Sequence, residues 1–549
     1  MQLQAKQLVL HNLLSPKQVA KLLKISYLTN HKQFLTMATI IKKLSISTAD
    51  AVKMVSNFAP SIYQQAVYDF IKFSNGNCVI DAVAGSGKST TIVNALRDIA
   101  PDKKVLFLAF NKAIVEELKL KIGNLSNVTV KTLHSLGGSA VMRTFKSVLD
   151  NNKYRTYIND GIRFGAIRPT VQLLEEEVLD YKSNIVKLTD LCRAYLCNDL
   201  DTLEGIAFKY DLNLLDNECG MALNVVYWGE NNVGTIDFTD MIYLPNVKSL
   251  NTEVYDYVFI DECQDLNSAQ RELMLQCVNP NGGRFVAVGD PRQAIYGFAG
   301  ADVESFNILK NLPNTTMLPL SVCYRCGSDI ITLAKVIVPQ IEAREGADSG
   351  AVIRNAKLES IKDGDMILCR VTAPLVALCM QYISEGTKAY VKGRDIGANL
   401  INMINKSKRR NIEDVLSRLS AEGEKIADKV QRKTRCSIEE ARESSMYSSH
   451  MDKVQAIIVL SGDLKTTDAV IGRIEKIFKD EERNGICLST IHKSKGLESN
   501  NVYIICEEKM MLKRAMKLEW TRVQEINLVY VAYTRAKKVL GFVTDFEFK

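Results

Sequence analysis

Ten consecutive residues, Asp81-Ala82-Val83-Ala84-Gly85-Ser86-Gly87-Lys88-Ser89-Thr90, constrain the fold of this chain more than any other stretch. They follow a short apolar run, Cys78-Val79-Ile80, and lead into helix-like sequence, Ile92-Val93-Asn94-Ala95-Leu96. Strand, glycine loop, Lys-Ser and helix in that order make a cradle for a nucleoside triphosphate. Backbone N–H groups of such a loop and of the helix N-terminus point at phosphate oxygens. The pattern places Lys88 at the β- and γ-phosphates and Ser89 on Mg²⁺, with Ala84, Gly85, Ser86, Gly87 and Thr90 lining the loop. Gly85 and Gly87 permit a turn that a side chain would block. The loop makes the chain a nucleotide user and leaves open what the nucleotide drives.

The rest of the chain alternates strand-like and helical segments. Val105-Leu106-Phe107-Leu108-Ala109-Phe110, Tyr257-Val258-Phe259-Ile260 and Phe285-Val286-Ala287-Val288 are near-continuous apolar runs, as in buried parallel strands. A second set follows at 366–369, 389–391, 486–488 and 502–505. The pattern predicts two α/β domains, each a parallel sheet with helices on both faces. Helical, more polar stretches interrupt it at 138–230 and 396–482, and residues 1–58 read as a helical extension. The expected layout is a first α/β domain over 59–137 and 231–320, and a second over 321–395 and 483–549. The phrase Gln18 to Ser26 faintly suggests a helix-turn-helix, and a plain helical segment is the preferred reading.

Composition narrows the class. A chain of 549 residues implies three or four domains at ~100–200 residues each. Its 46% hydrophobic and 24% charged content is that of a soluble globular protein. No apolar run approaches the ~18 residues that suggest a membrane span, and the N-terminus lacks a signal-peptide layout. The expected location is the cytoplasm or nucleoid, or the nucleus if eukaryotic, with a phage origin left open. A net charge of +7 is compatible with a nucleic-acid partner without demonstrating one. The 13 cysteines are scattered, as buried thiols in a reducing compartment are. Cys323 and Cys326 form a CxxC with no second pair at zinc-site spacing, so a structural role is preferred.

An acidic partner for Lys88 stands at the end of a predicted strand, in Asp261-Glu262-Cys263-Gln264-Asp265. Carboxylates at that edge face the ligand side of an α/β sheet. Asp261 is expected to bind Mg²⁺ through water, and Glu262 to orient and deprotonate an attacking water.

With that acidic run the chain resembles the UvrD/PcrA/Rep-type superfamily 1A helicases, whose motifs follow in order over residues ~60–540. Pro60-Ser61-Ile62-Tyr63-Gln64 is similar to the Q motif, and the resemblance makes Gln64 the reader of the adenine edge. Ala109-Phe110-Asn111-Lys112 and Thr132-Leu133-His134-Ser135 are similar to motifs Ia and Ib. The run Val288-Gly289-Asp290-Pro291-Arg292-Gln293-Ala294-Ile295-Tyr296-Gly297-Phe298 is similar to motif III, and Tyr324-Arg325 to motif IV. Ser489-Thr490-Ile491-His492-Lys493-Ser494-Lys495-Gly496-Leu497-Glu498 is similar to motif V, and Glu525 to Arg535 to motif VI. Asp237-Phe238-Thr239-Asp240-Met241-Ile242 places it nearer the F-box-helicase branch.

The resemblance implies two RecA-like domains closing on ATP. Arg325 and Arg535 become γ-phosphate sensors, Arg535 as the arginine finger. Gln264 and Gln293 relay the γ-phosphate state, and Glu498 contacts the ribose. It places Phe110, Tyr296 and Phe298 against bases, and Asn111, Thr132, His134, Thr490 and His492 elsewhere on the bound strand. It further implies 3′→5′ translocation on single-stranded DNA and unwinding at single-strand/duplex junctions, with no membrane partner and no protein partner indicated. Two alternatives stay open: a translocase that mainly displaces bound protein, and a nucleotide-gated DNA-binding adaptor. The chain departs from the family at Phe298-Ala299-Gly300, where Trp-Arg-Gly is frequent, and at Asn527, where bacterial members carry arginine. Its second insert is shorter than the bacterial 2B subdomain, and neither a nuclease domain nor a C-terminal partner-binding tail is expected after motif VI.

Overall fold

The computed structural model describes residues 60–548 except 124, 211, 298–299, 301–303, 480–483 and 512–518. The N-terminal extension and the helix-turn-helix-like phrase therefore lie outside the described residues. The chain divides into two compact units, Met1–Asp69 and Phe70–Lys549. In the first, Ser61 and Gln64 cap the helix Ile62–Phe73 reciprocally: Gln64 Oε1 accepts the Ser61 N–H at 3.1 Å, and Ser61 Oγ accepts the Gln64 N–H at 3.2 Å.

The second unit is built on two parallel sheets, the α/β architecture expected from the sequence. Strands β1 (Asn77–Ala82), β2 (Val105–Ala109), β3 (Val128–Thr132), β4 (Tyr257–Ile260), β5 (Arg284–Gly289) and β6 (Thr315–Leu320) form the first. Their order is β3-β2-β4-β5-β1-β6, and every neighbouring pair is parallel. Helix α1 (Lys88–Ala95) leaves β1 through the glycine loop. β2 is buried at every position, which is why its sequence is an unbroken apolar run.

The second sheet comprises β7 (Ala351–Ala356), β8 (Met366–Cys369), β9 (Ala389–Lys392), β10 (Phe478–Lys479), β11 (Ile486–Thr490), β12 (Ser499–Ile504) and β13 (Ala536–Val543). Its order is β7-β13-β12-β8-β11-β9-β10, again all parallel.

Between β3 and β4 the chain forms α2 (Leu133–Phe145), α3 (Lys153–Arg163), α4 (Glu175–Tyr195), α5 (Leu200–Lys209), α6 (Glu218–Asn231) and α7 (Asp240–Val247). These share a core of their own, with Ile158, Ile185, Leu188, Leu203, Val225 and Leu244 at its centre. A second helical stretch, α8 (Arg394–Lys406), α9 (Ile412–Thr434), α10 (Ser445–Ser461) and α11 (Thr467–Ile477), is built differently. Its apolar residues Leu400, Val415, Val454, Leu460 and Ile474 pack in one cluster with Ile367, Val391, Ile486 and Leu488 of the second sheet. Helices α8 and α11 lie against the β9–β10 edge of the sheet, α10 packs on the helix Ala373–Ser384 that covers the sheet face, and α9 packs on α10. The other face of the sheet is covered by α12 (Glu519–Tyr533), whose Leu528, Tyr530 and Val531 join Leu368, Val502, Ile504 and Leu540. No described helix is long and apolar enough to cross a membrane.

The first helical stretch contains a buried ionic cluster. Asp240, with no exposure, accepts Lys153 Nζ at 2.9 Å, Tyr154 OH at 2.6 Å and Arg193 Nη1 at 3.0 Å, and Arg193 also meets Asp237 at 2.8 Å. Helices α3, α4 and α7 thus meet on one carboxylate. Removing one partner of a buried pair leaves charge without compensation, at a cost of about 3–5 kcal/mol. Asp240→Ala is therefore expected to lower unfolding free energy by about that amount in urea denaturation. Glu413→Ala, which breaks the exposed pair with Lys465, should change it by less than ~1 kcal/mol.

Candidate functional site

The glycine loop adopts the geometry its sequence predicts. Gly85 (φ +67°) and Gly87 (φ +77°) are both left-handed, and Gly87 precedes the first turn of α1. Gly85 is needed for a second reason: a Cβ there would stand 2.7 Å from Arg325 Cβ and 3.0 Å from Cys323 Sγ. Ala84 is buried and donates its N–H to Tyr530 OH at 2.9 Å, while Gly85 O accepts the Tyr324 N–H at 2.8 Å. Ser86 is buried, Ser89 half-buried and Thr90 exposed.

Asp261 and Glu262 leave the end of β4, which lies one strand from β1 across β5. Glu262 is itself left-handed (φ +54°), a conformation costing a non-glycine residue about 1–3 kcal/mol and concentrated at functional positions. Its carboxylate lies 3.7 Å from Lys88 Nζ and accepts Gln264 Nε2 at 2.6 Å. Gln264 Oε1 in turn accepts the Asp290 N–H at 2.9 Å. Gly289 allows this approach, since a Cβ there would meet Gln264 Oε1 at 2.4 Å. Asp290 Oδ2 accepts Gln293 Nε2 at 2.7 Å, and Gln293 Oε1 accepts Arg535 Nη2 at 3.3 Å. A continuous polar chain therefore runs from Lys88 to Arg535, from the first sheet to the second.

Arg535 is buried, and burial with the nearby Arg325 charge pushes its guanidinium down, to about 10, so it stays charged at neutral pH. Arg325 donates Nε to Glu498 at 2.7 Å and Nη1 to Thr534 O at 3.1 Å, and Glu498 also meets Lys537 at 2.5 Å. The structure thus gathers Lys88, Asp261, Glu262, Gln264, Gln293, Arg325, Glu498 and Arg535 around the glycine loop. Gln64 belongs to the other compact unit.

Burial and the Glu262 carboxylate push Asp261 up, to about 7, against the attraction of Lys88. Burial acts on Glu262 in the same direction, but Lys88, Lys495, the Gln264 amide and Arg535 outweigh it and hold that carboxylate low, at about 2. The two adjacent carboxylates are thus pushed in opposite directions, Asp261 up and Glu262 down. Among the described residues no group of three or more His, Cys, Asp or Glu side chains is assembled as a metal site. A cation beside Ser89 and Asp261 would owe most of its ligands to phosphate and water, as Mg²⁺ does. The buried, charge-crowded Asp261 carboxylate fits such a cation. Three fixed cations around a main-chain phosphate cradle suit phosphoryl transfer.

The residues expected against nucleic acid fall into two groups. Phe110, Asn111, Thr132 and His134 follow the ends of the paired strands β2 and β3. Phe110 is half exposed, Asn111 and Thr132 are helix N-caps, and His134 packs edge-on to Phe238 at 6.1 Å. Tyr296, Thr490 and His492 form the other group, with Tyr296 OH donating to His492 O at 3.4 Å. Phe298 and Ala299 lie outside the described residues.

The structure adds contacts at several residues that the sequence alone did not show. Lys495 lies over the Tyr296 ring at 5.0 Å, and Phe238 shares the His134 surface. Asn527, the departure from arginine, donates to Pro291 O at 3.2 Å and Ala294 O at 3.0 Å, bracing the motif III segment. The Cys323–Cys326 pair is buried beneath the glycine loop, a packing role.

Comparison with known proteins supports the same reading. The family model described as UvrD/REP helicase N-terminal domain matches residues 64–314, and that of the UvrD-like helicase C-terminal domain matches 485–543. The F-box DNA helicase protein 1 of Schizosaccharomyces pombe is 23% identical over 509 residues, covering 84% of this chain and 55% of that protein. The ATP-dependent DNA helicase Rep of Buchnera aphidicola (from Acyrthosiphon pisum) is 25% identical over 306 residues, 49% of this chain and 44% of Rep. Rep of Escherichia coli K12 is 25% identical over 306 residues, covering 50% and 42%. The chain spans about half the length of the relatives it matches.

His492 carries a pH consequence. Burial, with Arg370 and Lys493 nearby, holds its imidazole well below the usual 6.5, so the folded state favours the neutral ring. The unfolded chain then binds more protons below that value, and stability must fall as pH drops through 6.5. His492→Gln is expected to flatten part of that slope in denaturation series from pH 7.5 to 5; a slope identical to the parent protein's would refute the assignment.

Proposed function

The chain belongs to the UvrD/Rep-type superfamily 1A helicases, and on that premise we propose that it is an ATP-dependent 3′→5′ translocase on single-stranded DNA that unwinds duplex at junctions. The observation that carries the proposal is the polar chain from Lys88 through Glu262, Gln264, Asp290 and Gln293 to Arg535, because it joins a phosphate cradle on one sheet to a guanidinium on the other.

In this reading β1–β6 form RecA-like domain 1A, with the helices at 138–230 as subdomain 1B. The second sheet forms domain 2A, and the helices at 396–482 are a reduced 2B-like insert. ATP lies between 1A and 2A. Lys88 and the loop N–H groups hold the β- and γ-phosphates, and Glu262, ionised at neutral pH, accepts the proton of the attacking water. Arg325 and Arg535 neutralise charge developing on the transferred group. Ser89 and Asp261 would hold Mg²⁺, which supplies further neutralisation of the phosphate oxygens. Glu498 contacts the ribose. Arg325 is paired with Glu498, and a γ-phosphate would offer it a second anionic partner. Loss of the γ-phosphate releases both arginines and lets the domains part. Phe110, Asn111, Thr132, His134, Tyr296, Phe298, Thr490 and His492 hold the single strand by stacking and backbone contacts.

A second reading keeps the motor but makes displacement of bound protein its main output. It is favoured by the insert at α8–α11, whose apolar residues share one cluster with the second sheet.

ATPase activity with and without single-stranded DNA, followed by unwinding of 3′- and 5′-tailed duplexes, tests the proposal. Activity without DNA stimulation would sink the motor, and preference for 5′ tails its polarity. Lys88→Ala should reduce turnover by about 10²–10³-fold while DNA binding persists. Glu262→Gln should lower turnover by about 10²–10⁴-fold and retain ATP, read by single-turnover quench against equilibrium nucleotide binding.

A further inference from the structure

Lys495 lies in the turn between β11 and β12 and contacts the first sheet at three points. Its ammonium is 2.5 Å from Asp265 Oδ2, 2.8 Å from Gln293 O and 5.0 Å from the centre of the Tyr296 ring. Asp265 belongs to the turn after β4, and Gln293 and Tyr296 to the segment after β5. One side chain of the second sheet thus joins the two loops that carry the nucleotide relay and the ring assigned to base stacking. The contact is nearly dry: the side chains are 9% exposed for Lys495 and 3% for Asp265. Asp265 Oδ1 has no hydrogen-bond partner, so the lysine is the main compensation for a buried carboxylate.

We propose that Lys495 is a positioning residue that makes closure of the nucleotide cleft and placement of Tyr296 a single event. The proposal rests on the translocase reading above. An ammonium has three donors and no acceptor. Two are directed at Asp265 and the Gln293 carbonyl, and the cation also lies over the π-face of Tyr296. Asp265 is adjacent to Gln264, whose amide holds Glu262, and Gln293 is the partner of Arg535. Any separation of the sheets that withdraws Lys495 therefore loosens both relay glutamines and the ring together. A half-open state is disfavoured, because it would strand Asp265 without its cation before water reaches it. Burial raises Asp265, to about 6, with Lys495 opposing the rise, which fits a carboxylate dependent on this one neighbour.

The test compares the full-length protein with Lys495→Met, Lys495→Arg, Asp265→Asn and the Lys495→Met/Asp265→Asn double variant. The readout is oligothymidylate affinity with and without a non-hydrolysable ATP analogue, together with ATPase stimulation by the same oligomer. The parent protein should show an analogue-dependent affinity ratio. Lys495→Met should bring that ratio to within about twofold of unity and remove most of the stimulation. Lys495→Arg should restore part of both, and the double variant should be no worse than either single one, as expected for partners in one interaction. A merely structural lysine would weaken both affinities alike and leave the ratio intact; that result, or additive losses, overturns the proposal. If Lys495→Met does not fold, Asp265→Asn, which keeps the shape, gives the same decision. A parent protein without DNA-stimulated ATPase overturns the translocase reading itself, whereas a stimulated parent and an equally stimulated Lys495→Met overturn only the role of Lys495.

Discussion

The glycine loop belongs to both sheets at once, and the rest of the candidate site depends on that. Ala84 gives its N–H to Tyr530 of α12, Gly85 takes the Tyr324 N–H, and Val83 and Ala84 lie in the same apolar cluster as β8, β12 and β13. The backbone at the start of the loop is thereby tied to the second sheet at two consecutive residues. Gly85 is the hinge of this arrangement. Its left-handed φ and the 2.7 Å approach of its virtual Cβ to Arg325 exclude any side chain for two independent reasons. The loop cannot shift without moving the segment that carries Arg325.

This docking concentrates charge. Lys88, Lys495 and Arg535 converge on Asp261, Glu262 and Asp265 in surroundings that penalise every unpaired ion. The result is asymmetry between chemically similar groups. Glu262 meets cations and the Gln264 amide and stays ionised, whereas Asp261 meets Glu262 and is pushed up. Two carboxylates pushed apart in this way can divide the roles of base and cation ligand. The left-handed backbone of Glu262 fits the same account: strain is held where geometry is demanded, and the Gln264 and Asp261 hydrogen bonds keep it there.

Much of this was legible in sequence, for reasons that differ by element. Strands such as β2, β4 and β8 are buried on both faces and so appear as unbroken apolar runs. The glycine loop is legible because its conformation demands particular residues. Lys495 was not legible, because it sits in Lys493-Ser494-Lys495 and nothing local separates the two lysines. Only the fold buries Lys495 on Asp265 and leaves Lys493 on the surface with Asp395. The contact of Phe238 with His134 was obscured likewise, and Asn527 stood out only as a departure, since the partners of both are distant in sequence. The stretch 396–482 was readable as helical and more polar, but not what its apolar residues would meet; here α9 is covered by α10. Strand β10, two residues long, has no period to detect.

That shared core decides which parts can move together. Helices α8–α11 are joined to the second sheet through a continuous apolar cluster, so separating them would expose much of it to water. Their contact with α4 includes the ion pair between Lys429 and Asp180, each side chain about a third exposed. Such a pair contributes at most about 1 kcal/mol. Motion of the second sheet against the first therefore carries the insert along with it, and the surface pair yields readily. Resistance to that motion lies in the buried contacts: Tyr530 on Ala84, Arg535 on Gln293, and Lys495 on Asp265. All three join the glycine loop and the loops after β4 and β5 to the second sheet, so relative motion of the two sheets must break them together.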